Sequence, residues 1–382
     1  MTGGRWIAGL VALIAACDGA PSRGDAGDPA PEALHLTTSG AIAIANLDHQ
    51  IAQHGDAPGI EDLLLARSRF LADYEALDRA LAVAEARCPA GRCATAADHV
   101  RRARARSAVH RFADALDDLA AAERAGAGGE GGGEGGDEIV ALRASIRVAT
   151  GYAAEVIPAL EAAVARRPGL ASRSALATAY AAVGRFGDAD ALYAGALEAL
   201  DTTSPFPYAW IYFARGLMWA EQAGDRARGE AMYRQALAHL PELVVASIHL
   251  AELEIARGAP AAATARLEQV VASSDEPEAL GLAGALHIRA GDRERGRGEI
   301  ARARARFEAL LVRHPLAFAD HAAEFYLGPG ADPERAWALA QQNLAARATA
   351  RAFALAIAAA RATGRAREAS ALAARAGSRL RQ

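Results

Sequence analysis

No lysine occurs anywhere in the 382 residues; all 42 basic side chains are arginine. That absence excludes Schiff-base chemistry on lysine, a phosphate-loop lysine and a lysine general base. Aromatic residues make up only 5% of the chain although hydrophobic residues make up 52%, so the apolar content is mostly alanine and leucine. Strand signals are missing too: no segment alternates Val, Ile, Thr and aromatics with a period of two. Charge of one sign is not in excess, since 42 basic residues face 46 acidic ones for a net charge of −4. The bulk charge therefore makes no case for nucleic acid as a partner. With three cysteines in all, no second Cys or His pair completes a zinc site. What remains is an all-α chain built from small side chains in closely spaced helices.

The amino terminus reads as an address. Arg5 precedes an apolar run from Trp6 to Ala16, which is too short to span a bilayer but suits a secretory signal. Leu13-Ile14-Ala15-Ala16-Cys17 resembles the bacterial lipobox, and the resemblance implies cleavage before Cys17 and a lipid on it. Residues 1–16 are then the signal and residues 17–38 a flexible tether, rich at its start in Gly, Pro, Ala and Asp. Cys88 and Cys93 flank a Pro/Gly turn that brings two Cα atoms within disulfide range, as expected in an oxidising compartment.

Self-similarity organises the rest. The clearest unit places Leu176, Ala177, Tyr180, Gly184, Phe186, Ala189, Tyr193 and Ala196 at fixed offsets. Glycines recur at Gly151, Gly184, Gly224, Gly258 and Gly291, in steps of 33, 40, 34 and 33. The pattern resembles the tetratricopeptide family, in which small residues let two helices approach and aromatics fill the gap between neighbouring pairs. The resemblance implies a right-handed α-solenoid of about eight or nine helix pairs. Residues 39–125 are expected to form an N-terminal helical region and 138–382 the main solenoid. Between them, the Gly/Glu-rich segment 126–137 is expected to hold no helix.

Candidate chemistry is sparse. His49 and His54 flank a turn and read as ordinary surface residues. Asp320, His321 and Glu324 put a histidine and a carboxylate on one helical face, but without a second set of ligands they are expected to be plain helix polarity. The arginines from Arg293 to Arg306 fan around a helix with Glu294 and Glu299 among them, as on a solvated surface. The densest aromatic stretch yields two stripes on a helical wheel. Trp210, Phe213 and Leu217 are expected in the core. Tyr208, Tyr212, Arg215 and Trp219 are the candidate partner-binding patch, with the composition of an interface hot spot. The sequence thus points to a non-enzymatic scaffold for a protein or peptide partner, lipid-anchored in the cell envelope, with no cofactor, metal or nucleic acid. A periplasmic enzyme with its site between repeats, or a soluble cytosolic adaptor, are the competing readings.

Overall fold

The computed structural model describes residues 35–127 and 134–379. The proposed signal, Cys17 and most of the tether lie outside the described residues. Among those described there are nineteen α-helices and no strand, and no helix is long and apolar enough to cross a membrane. A single helix, α1 (Gly40–His54), precedes nine antiparallel pairs. The first four are α2/α3 (Ile60–Leu71, Tyr74–Ala86), α4/α5 (Ala96–Ala108, Phe112–Ala122), α6/α7 (Glu134–Ala149, Ala153–Arg166) and α8/α9 (Leu170–Ala182, Phe186–Glu198). The fifth to seventh are α10/α11 (Pro205–Leu217, Arg226–His239), α12/α13 (Val244–Ala256, Pro260–Ser273) and α14/α15 (Pro277–Ala290, Arg293–Arg313). The last two are α16/α17 (Pro315–Leu327, Pro333–Ala346) and α18/α19 (Ala350–Ala362, Ala366–Arg379). The fold is a tetratricopeptide-like all-α solenoid.

Local chemistry accounts for the repeat. The first helix of most pairs ends in a left-handed residue, supplied by Gly151, Gly184, Gly224, Gly258, Gly291 and Gly364, all with positive φ. In the degenerate pairs a non-glycine takes the strain: His110 at φ 58° and Ala331 at φ 48°. Four of the nine second helices start at an aspartate that accepts from the backbone three residues on: Asp73, Asp225, Asp292 and Asp332. Within pairs, small residues set the spacing. A Cβ placed on Gly229 would lie 2.8 Å from the Ala220 nitrogen, and one on Gly284 would lie 2.7 Å from the Gly296 carbonyl oxygen.

The amino-terminal helices do not simply extend the array. Arg69 lies over the Trp210 ring at 4.9 Å and Phe70 packs on Phe206 at 4.7 Å, both rings belonging to the fifth pair. Ala72 joins the core of the sixth pair with Val244 and Ile248. Tyr74 meets Phe318 of the eighth pair edge-on at 5.0 Å, and its hydroxyl donates to Glu276 at 3.4 Å. Glu75 pairs with Arg306 at 3.0 Å, while Asp78 binds Arg313 and, at 2.5 Å, His314. Residues 69–78 run from the last turn of α2 through the Ala72–Asp73 turn into α3. This one corner touches four successive pairs because the stack curves around it. The inner wall, formed by the first helices of the later pairs, is occupied by the chain's own residues. Helix α15, at 21 residues, is longer than the other second helices. Its extra turns carry Arg306 and Arg313 to α3, so part of the arginine-dense stretch is ion-paired, not merely solvated.

Two sequence expectations change here. The segment 126–137 is helical from Glu134 onward. The first turn of a helix tolerates glycine because its N–H groups lack intrahelical partners anyway, and Asp137 is held by Arg166 and Arg167 at 3.3 and 3.1 Å. The end of the expected tether is also fixed. Thr38 N–H donates to the Thr203 carbonyl at 2.7 Å, Thr37 Oγ1 lies 3.2 Å from His239 Nδ1, and the His35 ring is 5.0 Å from Tyr208.

Candidate functional site

The Tyr208, Tyr212, Arg215, Trp219 patch is not a surface. Tyr208, Tyr212 and Arg215 are buried, at 3%, 0% and 4% exposure, and Trp219 is half-buried. The tyrosine rings stack on His239 at 5.1 and 5.6 Å, and Arg215 reaches Asp190 of α9 at 2.8 Å. Trp219 Nε1 donates to the same carboxylate at 3.0 Å. A helix inside a solenoid is covered on two sides, so the tyrosines of the second stripe pack on α11 of their own pair while Arg215 and Trp219 reach the preceding pair. The other stripe divides: Phe213 is buried, whereas Trp210 and Leu217 are half-buried, Trp210 meeting the Phe70 ring at 6.2 Å.

The Cys88 and Cys93 sulfurs are bonded, with Cα atoms 4.1 Å apart. Cys93 also lies near His99 and Asp118, but a sulfur bonded to another sulfur is no thiolate ligand. His49 is exposed and His54 half-buried, and neither joins a group of convergent ligands among the described residues.

The convergent chemistry lies on the inner wall. Five elements contribute: the turn after α10 (Glu221), α12 (His249, Glu252), the start of α14 (Glu276, Glu278), α16 (Asp320, His321, Glu324) and α18 (Arg351). His249 Nδ1 is 2.9 Å from Glu221 and 3.2 Å from Glu252. His321 Nδ1 is 3.2 Å from Glu278. Arg351 closes the ring, donating to Glu221 at 2.9 Å and to both Glu324 oxygens at 3.1 and 3.0 Å. It joins the ninth pair to the fifth, a reach that again requires a strongly curved stack. These side chains keep contact with solvent: 38% of His321, 23% of Glu324 and 21% of Glu278 stays open. They line a recess.

Crowding of opposite charges sets the protonation pattern. Burial pushes Glu221 up, but the His249 imidazole and the Arg351 guanidinium outweigh it and hold it at about 2. Burial pulls His321 down, yet Asp320 and Glu278 raise it to about 10. His249 rises well above the usual range in the same way, against burial, through Glu221 and Glu252. Glu324 is carried by burial to about 7 in spite of Arg351, and Glu276 to about 7 by burial and the Glu278 charge. The ring thus holds carboxyls and imidazoles that differ widely in proton affinity, an arrangement able to hold a cation or to exchange protons.

Sequence reasoning found His321 and Glu324 through their i, i+3 spacing and discounted them for want of a second set of ligands. Glu278 of the preceding pair supplies it: one ligand atom from each of Glu278, His321 and Glu324 lies within 4.8 Å of the others. The placing of His249, Glu278 and His321 all on first helices was the available signal.

No family profile matches the chain, and no curated protein matches it. Among solved structures, a tetratricopeptide repeat protein from Parabacteroides merdae is 15% identical, covering 69% of this chain and 98% of its own, with a TM-score of 0.40. A thermophilic tetratricopeptide protein of Thermus thermophilus is 25% identical over 50% of this chain and 99% of its own, with a TM-score of 0.39. The Cut9–Hcn1 hetero-tetramer of the APC/C is 14% identical over 89% of this chain and 67% of its own, with a TM-score of 0.48. The likeness is one of fold, and the helix pairs, their turn glycines and their small-residue contacts make this chain a tetratricopeptide-like solenoid.

Proposed function

We propose that the protein is a non-enzymatic interaction scaffold, exported and held on a bacterial membrane, facing the periplasm, by a lipid on Cys17. The observation that carries the interaction reading is the grip of the inner wall on residues 69–78. Phe206, Trp210 and Phe318 take up the aromatic and arginine side chains of that segment, while Arg306, Arg313 and His314 take up its carboxylates. A partner segment of the same make-up, with aromatic residues followed by acids, is suited to the same groups in trans. The chain's own corner between α2 and α3 then competes with it. The anchor reading rests on the apolar run Trp6–Ala16 and the lipobox-like residues before Cys17.

Full-length protein carrying Phe70→Ala and Tyr74→Ala, which loosens the inserted segment, is to be compared with wild type in pull-downs from envelope membranes. Retained proteins are identified by mass spectrometry and rebound as purified components. The reading expects a partner held by both forms and more tightly by the variant. Equal retention places the binding surface elsewhere, and no specific retention by either refutes the scaffold. Palmitate labelling lost in Cys17→Ala, with release into the soluble fraction, is the expected result for the anchor; wild type without label overturns it.

A further inference from the structure

We propose that Glu278, His321 and Glu324 form a binding site for one divalent transition-metal ion in the recess between the seventh and eighth helix pairs. The donor atoms are already gathered: all three residues offer a ligand atom within 4.8 Å of the others. His321 and Glu324 stand one helical turn apart on α16, and Glu278 faces them from the first turn of α14. His321 Nδ1 faces Glu278 Oε2 at 3.2 Å. Two donors each about 2.0–2.2 Å from one ion subtend an edge of about 3.0–3.5 Å. The observed separation is of that size.

Two further groups in the recess are left without partners. Asp320, beside His321, is 4% exposed; Arg347 holds its Oδ2, and its Oδ1 makes no hydrogen bond. Tyr233 is 1% exposed, its ring stacks on His249 at 5.7 Å, and its hydroxyl, acted on by Glu221 and Glu252, also makes none. Buried polar atoms ordinarily have partners, and these two have none near the cluster whose charges act on them. The charge count agrees. Six carboxylates (Glu221, Glu252, Glu276, Glu278, Asp320, Glu324) act on this space against two guanidiniums (Arg347, Arg351) and two imidazoles held toward their charged forms (His249, His321), leaving two negative charges with every group ionised. Buried charge of one sign is costly unless compensated. A divalent ion neutralises the two ligating carboxylates.

One imidazole and two carboxylates suit Zn²⁺, Co²⁺, Mn²⁺ or Fe²⁺ and, lacking thiolate or thioether, do not suit Cu⁺. Arg351 grips both Glu324 oxygens and fixes that carboxylate's orientation, the supporting role usual around a metal. Three protein ligands leave positions open to water. The proposal is independent of the scaffold reading, because a bound ion would tie α14 to α16 whatever the outer surface binds.

The test uses metal-stripped full-length protein titrated with Co²⁺, read by visible absorption and by calorimetry. One equivalent should bind with a ligand-field spectrum. Glu278→Gln and His321→Ala should each weaken binding on the order of tenfold or more, with helicity by circular dichroism unchanged. His99→Ala, at the other histidine–carboxylate convergence, should bind as wild type does. Should His321→Ala fail to fold, Glu324→Gln carries the same expectation. No saturable binding to wild type, binding undiminished in Glu278→Gln and Glu324→Gln, or binding lost in His99→Ala each overturns the proposal.

Discussion

Replacing Gly229 by alanine sets two effects against each other. Alanine in a helix interior is favoured over glycine by about 0.8–1.0 kcal/mol, and nothing in the backbone of α11 opposes it. The new methyl, however, would lie 2.8 Å from the Ala220 nitrogen and 2.9 Å from its Cα, and these are backbone atoms that cannot rotate away. Relief requires α11 to move off the turn after α10, into which Tyr233 and Met218 are packed at 1% exposure each. Overpacking of this kind costs about 1–3 kcal/mol, so the net change should be a loss of up to about 2 kcal/mol, and a larger one for Gly229→Leu. Gly298 is the control: it lies within the exposed part of α15, and an added Cβ meets nothing within 4 Å. Gly298→Ala should therefore stabilise by about 0.5–1 kcal/mol. Urea unfolding followed by circular dichroism gives the two signs, and hydrogen exchange in α10 and α11 locates the damage. If Gly229→Ala stabilises as much as Gly298→Ala, the close approach is not real and the spacing argument fails.

Three other outcomes follow from particular contacts. The Cys88 and Cys93 thiols should resist alkylation in denatured, unreduced protein and react after reduction; removing the bond should cost less than the roughly 3 kcal/mol of a 15-residue loop, since only five positions separate the cysteines. Asp118 is 2% exposed and holds Arg102 at 2.5 Å and Arg106 at 2.8 Å, so Asp118→Ala should cost up to about 3 kcal/mol by leaving Arg102, itself 3% exposed, with only Glu85 at 3.9 Å and the Gly91 carbonyl. His110 is pulled down to about 4 by burial and then by the Arg347 charge, with Asp320, the Leu316 carbonyl and His321 also acting on it. A folded pKa below the unfolded value near 6.5 gives stability that is present above about 6.5 and lost as the pH falls through about 4. Wild type should lose up to about 3 kcal/mol more than His110→Asn over that window, asparagine being able to keep the left-handed backbone; urea midpoints at pH 7, 5.5 and 4 measure it.

What could be read from the sequence was local. Turn glycines and the small residues that set helix spacing act within about forty residues, so the pairs and their phase were legible. The site needed contacts no periodicity encodes. Asp78 finds His314 at a separation of 236 residues and Tyr74 finds Glu276 at 202, so a filled inner wall leaves no repeating mark. The wheel through α10 separated Tyr208 and Tyr212 from Phe213 correctly as two sides of one helix. It could not tell that His239 covers Tyr208 and Tyr212, or that Tyr233 and His249 meet Phe213. His321 and Glu324 carried half of a ligand set, while Glu278 sits in the preceding repeat, where only the inter-pair geometry shows which side chain comes opposite.

An open solenoid behaves as a line of neighbours: each pair is stabilised by the two beside it, and an injury spreads outward from where it occurs. The segment at residues 69–78 changes that topology by joining positions early in the line to positions late in it. The array becomes a loop with a clasp, and its free energy includes closure terms that no nearest-neighbour account contains. During synthesis the clasp is made first and its receptacle last, because helix α3 emerges before the pairs that hold it. At about 5–20 residues per second the early helices wait on the order of ten seconds or more for Trp210, Arg313 and Phe318. For that interval Phe70 and Tyr74 lack the later pairs that cover them, and the nascent chain presents to its surroundings the same corner between α2 and α3 that the finished molecule hides.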